Sequence, residues 1–454
     1  MNVFTKSCVR PHLPPPSLPA QMVSKRARCD LSDPNRDPKR IKASTEASPP
    51  HPVFASLVTK DEKGERHCRF VFGKNTYVAG QRLGHGTYGV VYEAKSTQKK
   101  SAVAVKMFSD DPALEGVEEV YRREVSVMKR LGSHPSLLPI VTHGIDECRE
   151  RYCAIVTPKM DRNLLGWVAP DFYSLMSVVR QLASGLVHMH RKGFVHGDFK
   201  SLNLLADMHV RKAVIADFGL SFEMEDATRA TPVSQLKQPP GVVSTVLYRD
   251  PACIGYGARR EPLVSGLSDV WSLGAVLFEF VCGRLMFLFP ETIIDPVQQE
   301  TEVMTLIYEE FGVNFELGVQ PSELKLSRPL DTKKRGLLTE LMRTGVHRLC
   351  VRYCGSDQSS VKSHVDAFMR LWLNMMALHS TRRVSASCIL KQFTLSGGNK
   401  VVWEEPVAGS WISALLAPAE PDKHAFAATF SELCRDVTAF NQATRGPAAK
   451  AASK

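Results

Sequence analysis

The chain has 454 residues, a formal net charge of +11 at neutral pH and an ordinary share of apolar residues. A chain of this length and composition can bury a sizeable core, which excludes a wholly disordered or fibrous protein. No secretory signal is predicted, because Pro and Arg interrupt the first thirty residues. The eleven cysteines lack zinc-site spacing, so we expect reduced thiols in an intracellular protein.

Residues 1–75 are predicted to be a disordered, basic and Pro-rich segment, because residues 1 to about 55 offer few large apolar residues to bury. Basic clusters at 25–28 (KRAR) and 39–42 (KRIK) flank a polar spacer with two prolines. This pattern resembles a bipartite nuclear localisation signal, which predicts a nuclear import receptor as partner and a location in nucleus and cytoplasm. Direct nucleic-acid binding is not expected, because interleaved aromatic residues are lacking.

From residue 76 the pattern predicts folded elements. Short runs rich in Val, Tyr and Ala predict strands, and apolar residues spaced by three and four predict helices. The predicted strands are 76–83, 89–95, 101–108, 151–157 and 213–216, and the apolar helical faces run over 117–131 and 175–189. A strand-rich part followed by a helix-rich part indicates an α+β architecture of two lobes. We predict a domain over 76–395, with lobes 76–160 and 161–395, and a tail over 396–454.

One apolar stretch, residues 270–289, is long enough to raise the question of a membrane span. It contains Glu279 and Arg284, which are costly in a bilayer. We therefore predict a buried helix of a large domain and no membrane partner.

A glycine-rich turn comes first among the motifs that carry chemistry. Gly84, Gly86 and Gly89 are followed by the strand-like run 90–92 (VVY) rather than by a helix. Glycines in a hairpin allow backbone N–H groups to approach phosphate oxygens, whereas a dinucleotide fold would continue into a helix. The turn alone fits an ordinary hairpin equally well.

A lysine and a glutamate follow at an informative spacing. Lys106 ends the run 103–106 (VAVK), and Glu124 lies on an otherwise apolar helical face. An inward-facing Lys needs a partner, and Glu124 is the candidate. Such a pair would hold nucleotide phosphates.

Two polar loops complete the set. The run 196–203 (HGDFKSLN) supplies Asp198 to orient an attacking hydroxyl, Lys200 to neutralise phosphate charge and Asn203 as an oxygen ligand for Mg²⁺. Asp217, in a DFG tripeptide nineteen residues after Asp198, is the second candidate Mg²⁺ ligand. Phosphoryl transfer requires mainly positioning and charge stabilisation, so these groups suffice.

In this order the motifs resemble the eukaryotic protein kinase family over about 320 residues. The resemblance implies a two-lobed kinase fold, ATP and Mg²⁺ as cofactors, and phosphate transfer to protein substrates. It places Val91, Ala104, Thr157 and Met160 at the nucleotide, with Thr157 in the gatekeeper position before the hinge. Lys200, two residues after the catalytic Asp, matches the Ser/Thr rather than the Tyr branch.

Further positions follow from the same resemblance. The run 245–251 resembles the family's substrate-binding loop, in which Thr245 contacts Asp198 and Lys200. Asp269 matches a residue that bonds the backbone of the catalytic loop, and Arg383 matches a late structural Arg.

The sequence departs from the family at two positions. Gly197 replaces an Arg that normally pairs with a phosphorylated residue, which suggests activation without phosphate in that pocket. Ala252 replaces the Glu that would pair with Arg383, so either Asp250 or another carboxylate is expected to take its place. Departures of this kind are typical of divergent kinases, including those of large DNA viruses.

Two other functional hypotheses remain open. The HGD sequence is also found in small-molecule kinases of the aminoglycoside phosphotransferase type, although Lys200 and the helix after Asp269 favour a protein kinase. A pseudokinase scaffold is the other alternative, although Lys106, Asp198 and Asp217 are all present. Substrate sequence preference, oligomeric state and the need for a regulatory subunit are not determined by the sequence.

Overall fold

The structure of the chain is a computed structural model. It describes residues 53–60, 66–86, 89–98, 102–108, 117–146, 153–237, 244–254, 261–290, 292–312, 326–396 and 400–403. The basic clusters at 25–28 and 39–42 and nearly all of the predicted tail lie outside these residues.

Seven strands form a closed barrel in the N-terminal lobe. They are β1 (Val53–Lys60), β2 (Arg66–Phe72), β3 (Asn75–Gly86), β4 (Gly89–Ser96), β5 (Ala102–Phe108), β6 (Thr142–Asp146) and β7 (Cys153–Pro158). The strand order is β1-β2-β3-β4-β5-β7-β6, antiparallel except where β1 meets β6 in parallel and closes the ring. Phe70, Tyr77 and Val105 lie in its apolar core.

The start of the folded region differs from the prediction. Strands β1 and β2 lie within residues 1–75, which were predicted to be disordered, and they pair with each other and with β3. The prediction was therefore wrong for 53–60 and 66–72. The charged run 61–65 (DEKGE) between the two strands is not a typical hairpin signal. The strands are also stabilised by pairing partners that they meet only in the tertiary fold, which local sequence does not show.

Helix α1 (Val117–Leu131) packs beside this barrel. Its buried residues include Val117, Tyr121, Val125 and Leu131, which recur at helical spacing. Glu124 is buried on the same side, 4 % exposed, as the sequence pattern predicted. The helix thus directs one carboxylate towards the lobe interface.

The second lobe is mainly helical. Its helices are α2 (Phe172–Arg191), α3 (Gly266–Cys282), α4 (Pro296–Phe311), α5 (Leu337–Cys354), α6 (Gln358–Met375) and α7 (Ala386–Lys391). Short strands are β8 (Arg162–Asn163), β9 (Phe194–Val195), β10 (Leu204–Ala206), β11 (Ala213–Ile215), β12 (Phe222–Glu223), β13 (Thr231–Pro232) and β14 (Leu263–Val264). The small sheet β11-β10-β8 and the pair β12-β9 place the polar loops against the N-terminal lobe.

Helix α3 covers residues 270–282 of the apolar stretch at 270–289, and it ends before Gly283. Trp271, Val276 and Phe278 are fully buried within the lobe. No helix among the described residues has both the length and the hydropathy required to cross a membrane.

The predicted end of the domain at residue 395 divides a hairpin. Strands β15 (Phe393–Ser396) and β16 (Lys400–Trp403) pair antiparallel, so folded structure continues to Trp403. The boundary was placed too early: the Gly-Gly-Asn run at 397–399 is a turn signal that joins two strands and does not end the fold.

Candidate active site

The glycine-rich turn is a hairpin between β3 and β4, as predicted. Gly84 lies opposite Val91, and Gly86 lies opposite Gly89. A Cβ atom added to Gly89 would lie 1.9 Å from the carbonyl oxygen of Met107 on β5, so only glycine allows this close strand approach. Glycine at position 89 therefore lets β4 lie close against β5 beside the turn.

Lys106 joins the two lobes. Its Nζ lies 2.8 Å from Glu124 Oε2 and 2.8 Å from Asp217 Oδ1. Lys106 extends from β5, Glu124 from α1, and Asp217 from the loop after β11. The Lys106–Glu124 pairing predicted from the sequence is thus present, and Asp217 joins it.

Each group in this triad ionises differently from the free side chain. Burial alone would lower the pKa of Lys106, but the negative charges of Asp217 and Glu124 outweigh it and raise that pKa. Burial raises the pKa of Glu124 against the opposing effect of Lys106. Desolvation favours a higher pKa for the Asp217 carboxyl, but the positive charge of Lys106 holds this pKa below its usual value. The triad therefore keeps a charged lysine at the centre of the site.

Asp198 is held by the groups that the resemblance named. Its Oδ1 accepts from Thr245 N at 3.0 Å and Thr245 Oγ1 at 2.8 Å, and its Oδ2 lies 2.7 Å from Lys200 Nζ. Lys200 Nζ also donates to Thr245 Oγ1 at 2.8 Å. The carboxylate is 6 % exposed, so its orientation is fixed before any substrate arrives.

Helix α3 stabilises the backbone of the loop that carries Asp198 through the side chain of Asp269. Asp269 accepts from His196 N at 2.9 Å and from Gly197 N at 3.1 Å. His190 Nε2 lies 2.9 Å from the same carboxylate. The predicted contact of Asp269 with the catalytic loop is present.

Asn203 and Asp217 carry oxygen atoms suited to Mg²⁺. Asn203 Nδ2 donates to Asp198 O at 2.9 Å and Asp198 Oδ2 at 3.2 Å, which directs its amide oxygen elsewhere. Asp217 is half exposed and has φ of 62°, a strained backbone for a non-glycine residue. Two oxygen donors fit Mg²⁺, which takes its other ligands from water and phosphate.

The residues predicted to contact the nucleotide base line neighbouring strands. Val91 on β4 lies opposite Lys106, and Ala104 on β5 lies opposite Thr157 on β7. Thr157 is 9 % exposed, whereas Met160 is half-buried just after β7. Val91, Ala104 and Thr157 thus lie on three neighbouring strands, and Met160 follows the last of them where the chain passes into the second lobe.

Gly197, the departure in the catalytic loop, is required by its surroundings. Its φ is 75°, and an added Cβ would lie 2.7 Å from Leu220 O and 3.0 Å from the Phe222 ring. Phe222 packs with Val195, Met224, Leu236 and Val264 in an apolar cluster. A side chain at position 197 would therefore clash with a backbone oxygen and with the Phe222 ring unless this packing shifted.

The second departure is resolved by Asp250. Arg383 Nη1 and Nη2 donate to the two oxygens of Asp250 at 2.6 and 3.0 Å, and both side chains are fully buried. Arg383 also donates to the carbonyl oxygens of Ala377 and Leu267. Of the two alternatives left by the sequence, Asp250 is the partner.

Two contacts near the site were not predicted. Arg249 donates to Ser244 O at 2.6 Å and pairs with Glu300 of α4. Arg130 of α1 pairs with Glu223 of β12. No local sequence signal identifies either pair, because the partners are 51 and 93 residues apart along the chain.

Comparison with known proteins gives one family. The model of the protein kinase domain matches residues 77–393. A probable cell division protein kinase of Encephalitozoon cuniculi is 31 % identical over 240 residues, 52 % of this chain and 80 % of that protein. Cyclin-dependent kinase 11.1 of Caenorhabditis elegans is 29 % identical over 252 residues, and Aurora kinase A-B of Xenopus laevis 30 % over 211.

Coverage of these relatives is uneven. The matches span 54 % and 46 % of this chain but only 32 % of the nematode protein and 48 % of the Xenopus protein. The family match over residues 77–393 contains the triad and the Asp198 loop. With the family model matched across both lobes, the chain belongs to the eukaryotic protein kinase family, as a member of its serine/threonine branch.

Proposed function

We propose that this kinase transfers the γ-phosphate of Mg-ATP to Ser and Thr hydroxyls of proteins. One observation carries the proposal: Lys106, Glu124 and Asp217 are joined across the lobes, and Asp198, Lys200 and Thr245 are joined beside them. Phosphoryl transfer depends on positioning and charge, which such an assembled arrangement supplies.

Each residue has a task that its geometry supports. Lys106 holds phosphate oxygens, and Glu124 keeps the ammonium in place. Asp198 accepts or orients the proton of the substrate hydroxyl, while Lys200 offsets charge on the transferred group. Asn203 and Asp217 would hold Mg²⁺, which supplies charge neutralisation at the phosphates when bound.

The first experiment measures transfer of labelled γ-phosphate from Mg-ATP to general protein substrates. Asp198→Asn and Lys106→Met are expected to lose nearly all Ser/Thr labelling, and Lys391→Met, an exposed site on α7, is the matched control. A silent wild type that is still stabilised by nucleotide would instead support a scaffold. Labelling of small molecules alone would support the aminoglycoside phosphotransferase type.

The substrate-binding loop also suggests a sequence preference. Ser244 has φ of 62°, and its carbonyl oxygen accepts from Arg249 at 2.6 and 3.3 Å. That oxygen is therefore not free to accept an N–H from the residue after the acceptor Ser or Thr. Burying an N–H without a partner costs about 1–3 kcal/mol, and proline has none to bury.

We therefore expect a preference for proline directly after the phosphorylated residue. Two peptides that differ only by Pro or Ala at this position are compared by kcat/KM, and an advantage of about tenfold for Pro is expected, equal to ~1.4 kcal/mol. The double variant Arg249→Leu/Glu300→Leu, which leaves no orphan charge, is expected to reduce the ratio. Equal rates with both peptides in the wild type would contradict the preference.

Nuclear entry is a further part of the proposal, and it rests on the sequence of the two basic clusters alone. A fluorescent fusion of the full chain is expected to accumulate in nuclei, and replacement of 25–28 and 39–42 by alanine is expected to prevent this. Unchanged nuclear signal in the alanine variant would count against the import signal.

A further inference from the structure

The C-terminal end of α1 is anchored to the helical lobe by a bidentate ion pair. Arg130 Nη1 donates to Glu223 Oε2 at 2.6 Å, and Nη2 donates to Oε1 at 2.5 Å. The Arg130 guanidinium also lies over the Phe194 ring, 4.7 Å from its centre. A planar fork on a carboxylate and an aromatic face restricts Arg130 to one orientation.

Two more side chains meet the last carbonyl groups of the same helix. Lys192 Nζ donates to Arg130 O at 2.9 Å, and His188 Nε2 lies 2.8 Å from Leu131 O. The final carbonyls of a helix lack partners within the helix and carry partial negative charge, so such groups stabilise them. The end of α1 is thereby attached to α2, β9 and β12.

This attachment bears on the reaction because α1 also carries Glu124. Arg130 follows Glu124 by six residues, which is about 9 Å along a helix. A shift of the anchored end displaces Glu124 and, with it, the ammonium of Lys106, 2.8 Å away. Small displacements of positioning groups are costly to the rate of transfer.

Glu223 also ties α1 to the segment that follows Gly219. It is adjacent to Phe222, whose ring fills the space beside Gly197. Strand β12 pairs with β9, and β9 leads directly into the catalytic loop at His196. An intrinsic carboxylate therefore connects α1 to this segment without an added phosphate.

We propose that Arg130 and Glu223 are positioning residues for the Lys106–Glu124 pair. The proposal rests on the kinase activity proposed above. Both side chains are about half exposed, and exposed ion pairs contribute little to global stability. Their loss is therefore expected to lower the rate of transfer far more than the stability of the fold.

The test uses the full chain after phosphatase treatment and measures kcat and KM for ATP together with the thermal midpoint. Arg130→Glu is expected to lower kcat/KM about tenfold, equal to ~1.4 kcal/mol, while the midpoint falls by less than about 4 °C. The charge swap Arg130→Glu/Glu223→Arg is expected to recover most of the activity. The matched control is Arg122→Glu, which breaks an exposed pair with Glu118 within α1 and is expected to leave the rate unchanged.

The outcomes separate the two proposals. A silent wild type contradicts the kinase activity itself, whereas an active wild type with an equally active Arg130→Glu overturns the positioning role. A folded but inactive charge swap also overturns it, because the pair would then not be the cause. If Arg130→Glu does not fold, Arg130→Lys decides: it loses the bidentate geometry, so a lower kcat/KM supports the role and an unchanged one refutes it.

Discussion

Glu124 combines burial with a charged partner, and both act on its ionisation. Burial raises the pKa of its carboxyl above the usual range, and Lys106 only partly offsets this. The backbone N–H of Phe218 also stabilises the ionised form. The carboxylate that holds Lys106 is thus more easily protonated than a surface glutamate.

A pH dependence follows from this ionisation. The ionised form of Glu124 holds Lys106, so kcat/KM for ATP is expected to fall as pH drops through the raised pKa of Glu124. The acid limb should therefore lie above the range of an ordinary glutamate. Rates measured between about pH 5 and pH 8 test this, with Glu124→Gln expected to be weakly active and to lack the limb. An identical limb in Glu124→Gln would assign it to another group, and Glu119→Gln, on the exposed face, is the control.

Gly197 is a residue-scale departure with a steric cause. Its φ of 75° disfavours any side chain, and Leu220 O and the Phe222 ring leave no room for one. Restoration of the family residue by Gly197→Arg is expected to destabilise the fold by at least about 1–2 kcal/mol and to lower activity. Urea unfolding of the variant beside the wild type measures this. A variant as stable and active as the wild type would contradict the steric account.

At the scale of elements, one buried ion pair joins distant parts of the helical lobe. Asp250 begins the turn 251–253. Arg383 follows α6 and donates to a carbonyl oxygen in the first turn of α3 and to another just after α6. The pair replaces the contact that Ala252 cannot make. The pair stabilises the fold only when both partners are present, because either charge alone would be buried without compensation.

Loss of one partner is therefore expected to be severe. Asp250→Ala leaves Arg383 uncompensated and should cost about 3–5 kcal/mol of unfolding free energy. The double variant Asp250→Ala/Arg383→Met removes both charges and is expected to be more stable than Asp250→Ala alone. Urea unfolding compares the two, and equal stability would show that another group satisfies Arg383.

Helix α5 begins in an uncommon way that also links elements. Its first backbone N–H groups have no capping side chain of their own, because Gly336 precedes the helix. Glu310 of α4 accepts from Leu338 N at 2.9 Å and Thr339 N at 2.8 Å instead. A carboxylate at a helix N-terminus is favourable, and here it fixes α5 to α4.

At the scale of the whole molecule, the closed barrel extends the fold beyond the matched family region. Strands β1 and β2 precede residue 77, where the match begins, and they cover the edges of β3 and β6. Phe70 and Phe72 of β2 are buried in the lobe core. Exposed strand edges and lost apolar burial are both unfavourable.

Deletion of residues 1–74 is therefore expected to lower the thermal midpoint and to reduce soluble yield. Deletion of residues 1–50, which retains both strands, is the matched control and should retain the midpoint. Thermal unfolding of the two proteins beside the full chain tests the prediction. Equal midpoints for all three would show that β1 and β2 add nothing to stability.

The sequence by itself determined the family and the two-lobed architecture, and it supplied the residues proposed for the site. Those residues lie in short motifs whose spacing follows local geometry. Gly84–Gly89 has the spacing of a hairpin turn, and Lys106 lies in an alternating strand. The Lys106–Glu124 pair was also predictable, because a carboxylate on an apolar helix face requires a cation.

Only the tertiary structure decided which distant groups meet. The choice of Asp250 for Arg383, the packing of Phe222 against Gly197 and the contact of Arg130 with Glu223 each join residues from separate elements. The closure of the barrel by β1 and β2 has the same origin. Local spacing carries no information on such contacts, because they depend on how whole elements pack. The free energy of burying or pairing a side chain arises only when these elements come together.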